Sequence, residues 1–304
     1  MDSTTEISIQ IPSLRLLAWI GIGRKRAKIR VIQLIKEAKI ETILIPMAHP
    51  WDLYWQKLLR SQGVKIIRII HDAKRHPGDL WPRNRDIEKL CNSDYVITLS
   101  RYTASLLQDL TQSIIVSCIP EFEYSVETYK TSEFSEIEDY DLIIGRQRKY
   151  QNSKSVIKWW TNLPAEVKNG RKLVVAGKLS LFTRVLLNNP QNVIFINRWL
   201  SEKEFENLIS GANRIICLYK EASQSGIISA AQSKSIPVLV SDAGGLQEQI
   251  ETFGGGVVAS LGSKEDWELK YELLNKMEFH ASNHIFATPR FISDIMRAIA
   301  LVEK

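Results

Sequence analysis

The stretch Cys217–Ile250, CLYKEASQSGIISAAQSKSIPVLVSDAGGLQEQI, decides the fold. It contains two strand–turn–helix steps in succession. Ile215–Leu218 is a short apolar run with the length of a buried strand. A polar turn follows, Glu221–Ser225, and Gly226 lets backbone approach a neighbour or a ligand. Ile227–Ser233 has helical spacing, Pro237–Val240 is the next strand and Asp242–Gly245 the next turn. Each helix of such a unit begins just after a strand. Its unbonded N–H groups therefore lie at the strands' carboxyl edge, where open parallel sheets bind ligands and helix N-termini attract phosphate.

Working outward, the same alternation fills most of the chain. Before residue 120, strands are expected at 42–47, 64–70, 94–99 and 114–119, with one more at Ile7–Ile11. Helices are expected at 51–61 and 102–110, the second capped by Ser100. A second series begins at Asp141. Its strands are 141–145, 172–176, 193–197, 214–218, 237–240 and 256–260. Its helices are 152–161, 180–187, 202–211, 225–234, 244–251 and 264–275, and a last helix covers 289–302. Strands alternating with helices give parallel α/β sheets. Residues 121–138 have no period and read as a linker.

Tyr219, Ser223-Gln224-Ser225-Gly226, Pro237-Val238, Gly244-Gly245 and Glu248, in this order, resemble the donor-sugar half of glycosyltransferase family 4. The branch resembled is the one with Ser-Gln-Ser-Gly. That family's acidic pair falls on Ala222 and Ala230 in this chain. The resemblance implies a GT-B fold, α/β, with two Rossmann-like lobes whose parallel sheets face a cleft. The expected layout is a shortened acceptor lobe at 1–120, a linker at 121–138, a donor lobe at 139–288 and a C-terminal helix at 289–304. The glycine-rich turn that opens the family's first lobe has no counterpart in residues 1–30.

Gly145-Arg-Gln-Arg-Lys-Tyr-Gln-Asn152 is similar to the family segment whose Arg and Lys hold the donor diphosphate, with Gln151 at the Lys position. Arg146, Arg148, Lys149 and Lys154 are the cations left for that task. A leaving diphosphate gains charge as the sugar bond breaks, and fixed cations stabilise that change. Arg offers two parallel hydrogen bonds, whereas Gln brings no charge. With Gly145, Tyr219, Ser223, Gln224, Ser225 and Gly226, these residues form the expected donor site. Arg198 and Glu204 resemble a further family segment that places the fold more than the chemistry.

His71 ends a strand of the first half; the resemblance implies contact with sugar or phosphates, and a structural role fits equally. Arg75 and His76, in a basic loop, are the expected acceptor contacts; a solvated loop is the other reading. His71, Arg146 and Arg148 are the expected catalytic residues. No metal is expected, and no cofactor beyond a UDP- or GDP-linked sugar as substrate.

The chain has 304 residues, room for two medium domains, and a net charge of +6 that favours anionic partners. Cys91, Cys118 and Cys217 are odd in number and widely spaced, which reads as buried thiols in a reducing cytoplasm. No apolar run approaches the roughly 20 residues of a membrane span, and MDSTTEISIQ does not read as a signal peptide. Leu14–Lys39 mixes Trp19 and aliphatic residues with Arg24, Lys25, Arg26, Lys28 and Arg30. It fits an interfacial segment on anionic lipid, or core helices with a basic face. There is no nucleic-acid motif, P-loop or hydrolase elbow. The function implied by resemblance is retaining transfer of a sugar to a glycan or lipid-linked acceptor, in surface polysaccharide synthesis. The expected location is the cytoplasm and the inner face of the membrane. A non-catalytic GT-B-like partner or regulator of another transferase fits the same residues.

Overall fold

Residues 24–75, 84–121, 134, 136–179, 190–277 and 286–303 are described by the computed structural model of the chain. The expected strand at Ile7–Ile11, the helix at 180–187, residue His76 and most of the 121–138 segment lie outside them. The chain divides into two compact units. Unit 1 comprises Met1–Thr98, Leu106–Ile115 and Ile295–Lys304; unit 2 comprises Leu99–Ser105 and Val116–Asp294.

The sheet of unit 1 has the order β1-β2-β3-β4, with β1 Thr42–Ile45, β2 Lys65–Ile70, β3 Tyr95–Thr98 and β4 Ile114–Val116. The pairings of β2 with β1 and with β3 are parallel. Helices α1 Arg24–Glu37, α2 Asp52–Ser61, α3 Asn84–Leu90 and α4 Arg101–Leu107 alternate with these strands. Ile35 of α1 and Leu59 of α2 pack with Val64 and Ile66. Helix α3 has no strong period in sequence, yet Ile87 and Leu90, three residues apart, are both buried. One buried ion pair crosses this core: Arg68 Nη1 lies 2.8 Å from Asp52 Oδ2, with both side chains almost fully enclosed. The same carboxylate oxygen accepts from the His49 N–H at 2.9 Å, which fixes the β1–α2 turn.

Unit 2 is built on six strands: β5 Tyr140–Ile144, β6 Lys172–Ala176, β7 Val193–Ile196, β8 Arg214–Cys217, β9 Val238–Ser241 and β10 Gly256–Ala259. All pairings are parallel, in the order β10-β9-β8-β5-β6-β7. Such strands are covered on both faces and are therefore near-continuous apolar runs. Tyr140, Leu142, Ile144, Ile215, Cys217, Val238 and Val240 face one layer. That layer is α7 Glu202–Ser210, α8 Gly226–Ser233 and α9 Leu246–Phe253. Ile143, Leu173, Val175, Ile216 and Leu239 face the other, formed by α5 Ser153–Thr161 and α10 Lys264–Lys276. A short helix, α6 Ala165–Lys168, follows α5, and α11 Ala287–Val302 ends the described chain.

A buried charge cluster pins the start of this sheet. Asp141 is wholly enclosed and forms ion pairs with Arg214 Nε at 3.0 Å and Arg171 Nε at 3.6 Å. Its other carboxylate oxygen accepts from Trp160 Nε1 at 2.8 Å and from the Tyr271 hydroxyl. Burial pushes the Asp141 carboxyl above its usual range, and Arg214, Tyr271, Trp160 and Arg171 pull against it. The three cysteines are free and buried, and burial raises the Cys217 thiol to about 12.

Candidate functional site

In chain order the six strands of unit 2 run 3-2-1-4-5-6 across the sheet. The chain builds β5, β6 and β7 outward to one side, then returns to add β8, β9 and β10 on the other. The direction therefore reverses between β5 and β8, and in open α/β sheets the crevice beyond that reversal is where ligands bind. The two loops leaving it are 145–152, after β5, and 218–225, after β8. They hold every donor residue expected from the sequence except Gly226, the first residue of α8, and Lys154, in the first turn of α5.

The loops are bonded to each other. The Lys220 N–H donates to the Tyr150 carbonyl at 2.7 Å, and Asn152 Nδ2 donates to the Leu218 carbonyl at 3.2 Å. Tyr150 and Tyr219 meet edge to face, with ring centroids 6.3 Å apart. Gly145 has φ +106°, outside the range of L side chains, and a Cβ there would come within 3.0 Å of Ile227 on α8. Beside it Gly177 has φ +121°, and a Cβ would fall 2.0 Å from the Gly145 carbonyl oxygen. The ends of β5 and β6 are thus in contact through bare backbone.

Cations line the mouth of this edge. Arg146 is exposed, and its guanidinium lies 5.8 Å from the centroid of the Trp199 ring. Trp199 is itself 65% exposed. Arg148 is half-buried, while Lys149 and Lys154 are exposed. Gln151, at the position of the resembled family's Lys, is buried and turned inward. Its Oε1 accepts from the Arg148 N–H at 2.8 Å, and its side chain bonds Tyr219. It supplies loop geometry, not charge.

In the β8–α8 turn, Tyr219, Ser223 and Ser225 are buried, and Gln224 and Gly226 are half-buried. Burial raises the Tyr219 hydroxyl well above its ordinary value, so it stays protonated. The turn is held from α9. Gln249 Oε1 accepts from the Ser225 N–H, and Gln249 Nε2 donates to the Ser225 carbonyl, both at 3.1 Å. Gly244 and Gly245 press on it too: a Cβ at either would lie 1.9 Å from the Ala222 oxygen or 2.0 Å from the Ser223 oxygen. The result is a tightly held turn opening α8, whose first-turn N–H groups have no intrahelical acceptor.

Ala222 and Ala230, where the resembled family carries its acidic pair, are packed in the apolar cluster of this face. Glu248 accepts from the backbone N–H groups of Arg101 at 2.8 Å and Tyr102 at 3.3 Å, so it closes a helix start. Ser100 caps the same helix, accepting from the Thr103 N–H at 3.1 Å. Arg198 grips Glu204 through two bonds of 2.9 and 2.6 Å, which with Ser201 hold that carboxyl down to about 2.

His71 and Arg75 belong to unit 1. His71 is half-buried at the end of β2, its Nε2 lying 2.8 Å from the Pro46 carbonyl oxygen. Arg75 is exposed, and its N–H donates to Asn84 Oδ1 at 3.1 Å.

Gln249 and Trp199 were not expected at the site. A glutamine on an amphipathic helix reads as surface, and only the pairing of α9 against the β8–α8 turn reveals its contact. Trp199 had a signal in its adjacency to Arg198, just past a strand end.

No protein-family model matches the sequence, and no curated protein matches it. Solved structures do. Anabaena HepE, in complex with UDP and glucose, is similar over 93% of this chain and 83% of its own, at 14% identity and a TM-score of 0.67. Sucrose-phosphate synthase from Thermosynechococcus elongatus is similar over 96% and 76%, at 14% identity and a TM-score of 0.63. The lipopolysaccharide outer core galactosyltransferase WaaB is similar over 92% and 80%, at 15% identity and a TM-score of 0.59. With parallel sheets in both units and likeness along nearly the whole chain, the fold is the GT-B fold.

Proposed function

We propose that the protein is a retaining glycosyltransferase of the family 4 type, moving a sugar from a nucleotide diphosphate to a hydroxyl of a glycan or lipid-linked acceptor. The observation that carries this reading is the edge of unit 2 beyond β5 and β8. A cationic loop and a held helix start stand side by side there, at the sheet's point of reversal. The likeness to HepE, whose structures contain UDP and UDP-glucose, supports a uridine diphosphate sugar as donor. Surface polysaccharide synthesis is the setting we favour, on the resemblance in the donor motif.

In this mechanism Arg146 and Arg148 meet the diphosphate, assisted by Lys149 and Lys154. The start of α8 adds N–H groups and a favourable dipole. These groups act most strongly as the leaving phosphate gains charge. The acceptor's proton passes to the donor's own phosphate, so no protein base is required.

UDP-glucose should bind the full chain saturably in a calorimetric titration. Arg146→Ala and Arg148→Ala should each weaken it, since a charge-assisted hydrogen bond is worth about 1.5–3 kcal/mol, roughly tenfold to a hundredfold. At least one variant should lose turnover more than affinity. Unchanged affinity in both would remove these residues from the donor site.

The buried Ala222 and Ala230, and the inward-turned Gln151, favour a second reading: a donor-binding partner of another transferase. Saturable UDP-glucose binding with neither transfer nor hydrolysis would select it.

Helix α1 supports a membrane-facing surface. Lys25, Arg26, Lys28 and Arg30 are exposed, and Ile29 among them is 69% exposed, while Ile35 is in the core. No helix among the described residues is long and apolar enough to cross a membrane. The chain should sediment with vesicles containing anionic lipid, and added salt should weaken this. Changing Lys25, Arg26, Lys28 and Arg30 to Ser should abolish sedimentation with little change in Tm. Unfolding of that variant would assign the segment to the core instead.

A further inference from the structure

The β8–α8 turn is tied to β9 and α9 at successive points along its length. Ser241 Oγ donates to the Tyr219 carbonyl at 2.6 Å, and the Gly245 N–H donates to the Ala222 carbonyl at 3.0 Å. Gln249 then closes on Ser225 with two bonds, one to its N–H and one to its carbonyl, both at 3.1 Å. Only one orientation of the amide satisfies both, because the oxygen must accept and the nitrogen must donate. Gln249 is 8% exposed, so water competes little for either bond.

Those two bonds fix two peptide planes. A peptide unit is planar and trans, so its C=O and N–H point in opposite directions. The Ser225 carbonyl shares its plane with the Gly226 N–H, the first donor of α8. Holding that carbonyl toward α9 therefore aims the Gly226 N–H away from α9. The same carbonyl accepts from the Ser229 N–H at 3.2 Å, which ties this aim to the first turn of the helix. The Ser225 N–H is already taken by Gln249. A methionine at 249 would fill the space without either bond, and a carboxylate would lack the donor.

We propose that Gln249 is a positioning residue for the donor diphosphate, acting through the Ser225 peptide to aim the Gly226 N–H at phosphate. The inference rests on the transferase reading and deepens it. The turn's backbone contribution to the diphosphate starts at Gly226 and not at Ser225. Its aim depends on one neutral amide from a neighbouring helix.

The test uses the full chain. Gln249→Met removes both bonds at similar volume. Without ligand, hydrogen exchange at the Ser225 amide, followed by NMR of the isotope-labelled chain, should speed up about tenfold or more. UDP-glucose affinity should fall about tenfold. Gln249→Glu separates aim from packing. At about pH 8 its carboxylate has no donor for the Ser225 carbonyl, and affinity should lie about tenfold or more below wild type. Burial raises a carboxyl above its ordinary value of about 4.3. Near pH 5 the neutral acid again offers one donor and one acceptor, and the deficit should shrink to about threefold or less. Glu248 and Arg290 are the charged residues that border the same small cavity as Gln249, so each comparison is made with wild type at the same pH. Wild-type affinity in Gln249→Met, an equal deficit of Gln249→Glu at both pH values, or unchanged exchange at Ser225 would overturn the positioning role. A wild type that binds no UDP-glucose would overturn the donor reading and the phosphate role with it. The exchange result, read without ligand, would still decide whether Gln249 holds the turn.

Discussion

Asp141→Asn is expected to destabilise unit 2 by about 3–5 kcal/mol, the usual result of removing one partner from a buried ion pair. The substitution keeps shape and removes charge. Arg171 and Arg214 are both about nine-tenths or more enclosed, and Asp141 is the carboxylate they share. An amide also replaces one acceptor oxygen with a donor, against Trp160 Nε1, the Tyr271 hydroxyl or an arginine. The cluster joins β5, β6 and β8 near their amino ends, remote from the loops at the carboxyl edge. Hydrogen exchange at β5, β6 and β8, followed by mass spectrometry, should therefore speed up strongly. A change below about 1 kcal/mol would mean that Asp141 is neutral in the folded chain, its burial outweighing both arginines.

Gly244→Ala should abolish nucleotide-sugar binding more completely than either arginine variant. At φ +59° Gly244 lies in the left-handed region, and its added Cβ would sit 1.9 Å from the Ala222 carbonyl oxygen. Both atoms cannot stay in place. The obstacle is backbone, so a rotamer change gives no relief. Ala222 begins the turn that presents Ser223, Gln224 and Ser225, and the Gly245 N–H donates to the same oxygen at 3.0 Å. Moving Ala222 thus breaks a bond and displaces the turn. Affinity for UDP-glucose should fall by more than about a hundredfold if the turn's contacts, at about 1.5–3 kcal/mol each, are lost together. Gly262→Ala is the matched control, because a Cβ there meets nothing within 4 Å. Equal UDP-glucose affinity in the two variants would show that the β8–α8 turn is not part of the donor site.

The elements of unit 2 were legible within one or two residues at most boundaries. Its strands are continuous apolar runs such as Leu142–Ile144 and Val238–Val240, and buried parallel strands have little alternative pattern. In unit 1 the helix Asn84–Leu90 was missed, because two apolar positions in seven residues give too little period. The donor loops were found for a physical reason: each lies between a strand end and a helix start. What those loops do with their residues was hidden. Gln151 and Arg148 are three apart in sequence, and only the folded turn shows the glutamine spent on the arginine's backbone.

By itself the sequence determined that this is a chain of alternating strands and helices, with cations and small residues at particular strand ends. Those properties depend on local periodicity and steric freedom, which each segment carries alone. The tertiary structure alone decided the strand order that brings β5 beside β8 and sets the crevice there. It alone buried Ala222 and Ala230, enclosed Asp141 between two arginines, and paired Arg68 with Asp52 inside the core of unit 1. These are properties of contacts between residues distant in the chain, formed when packing excludes water, and no single segment contains them.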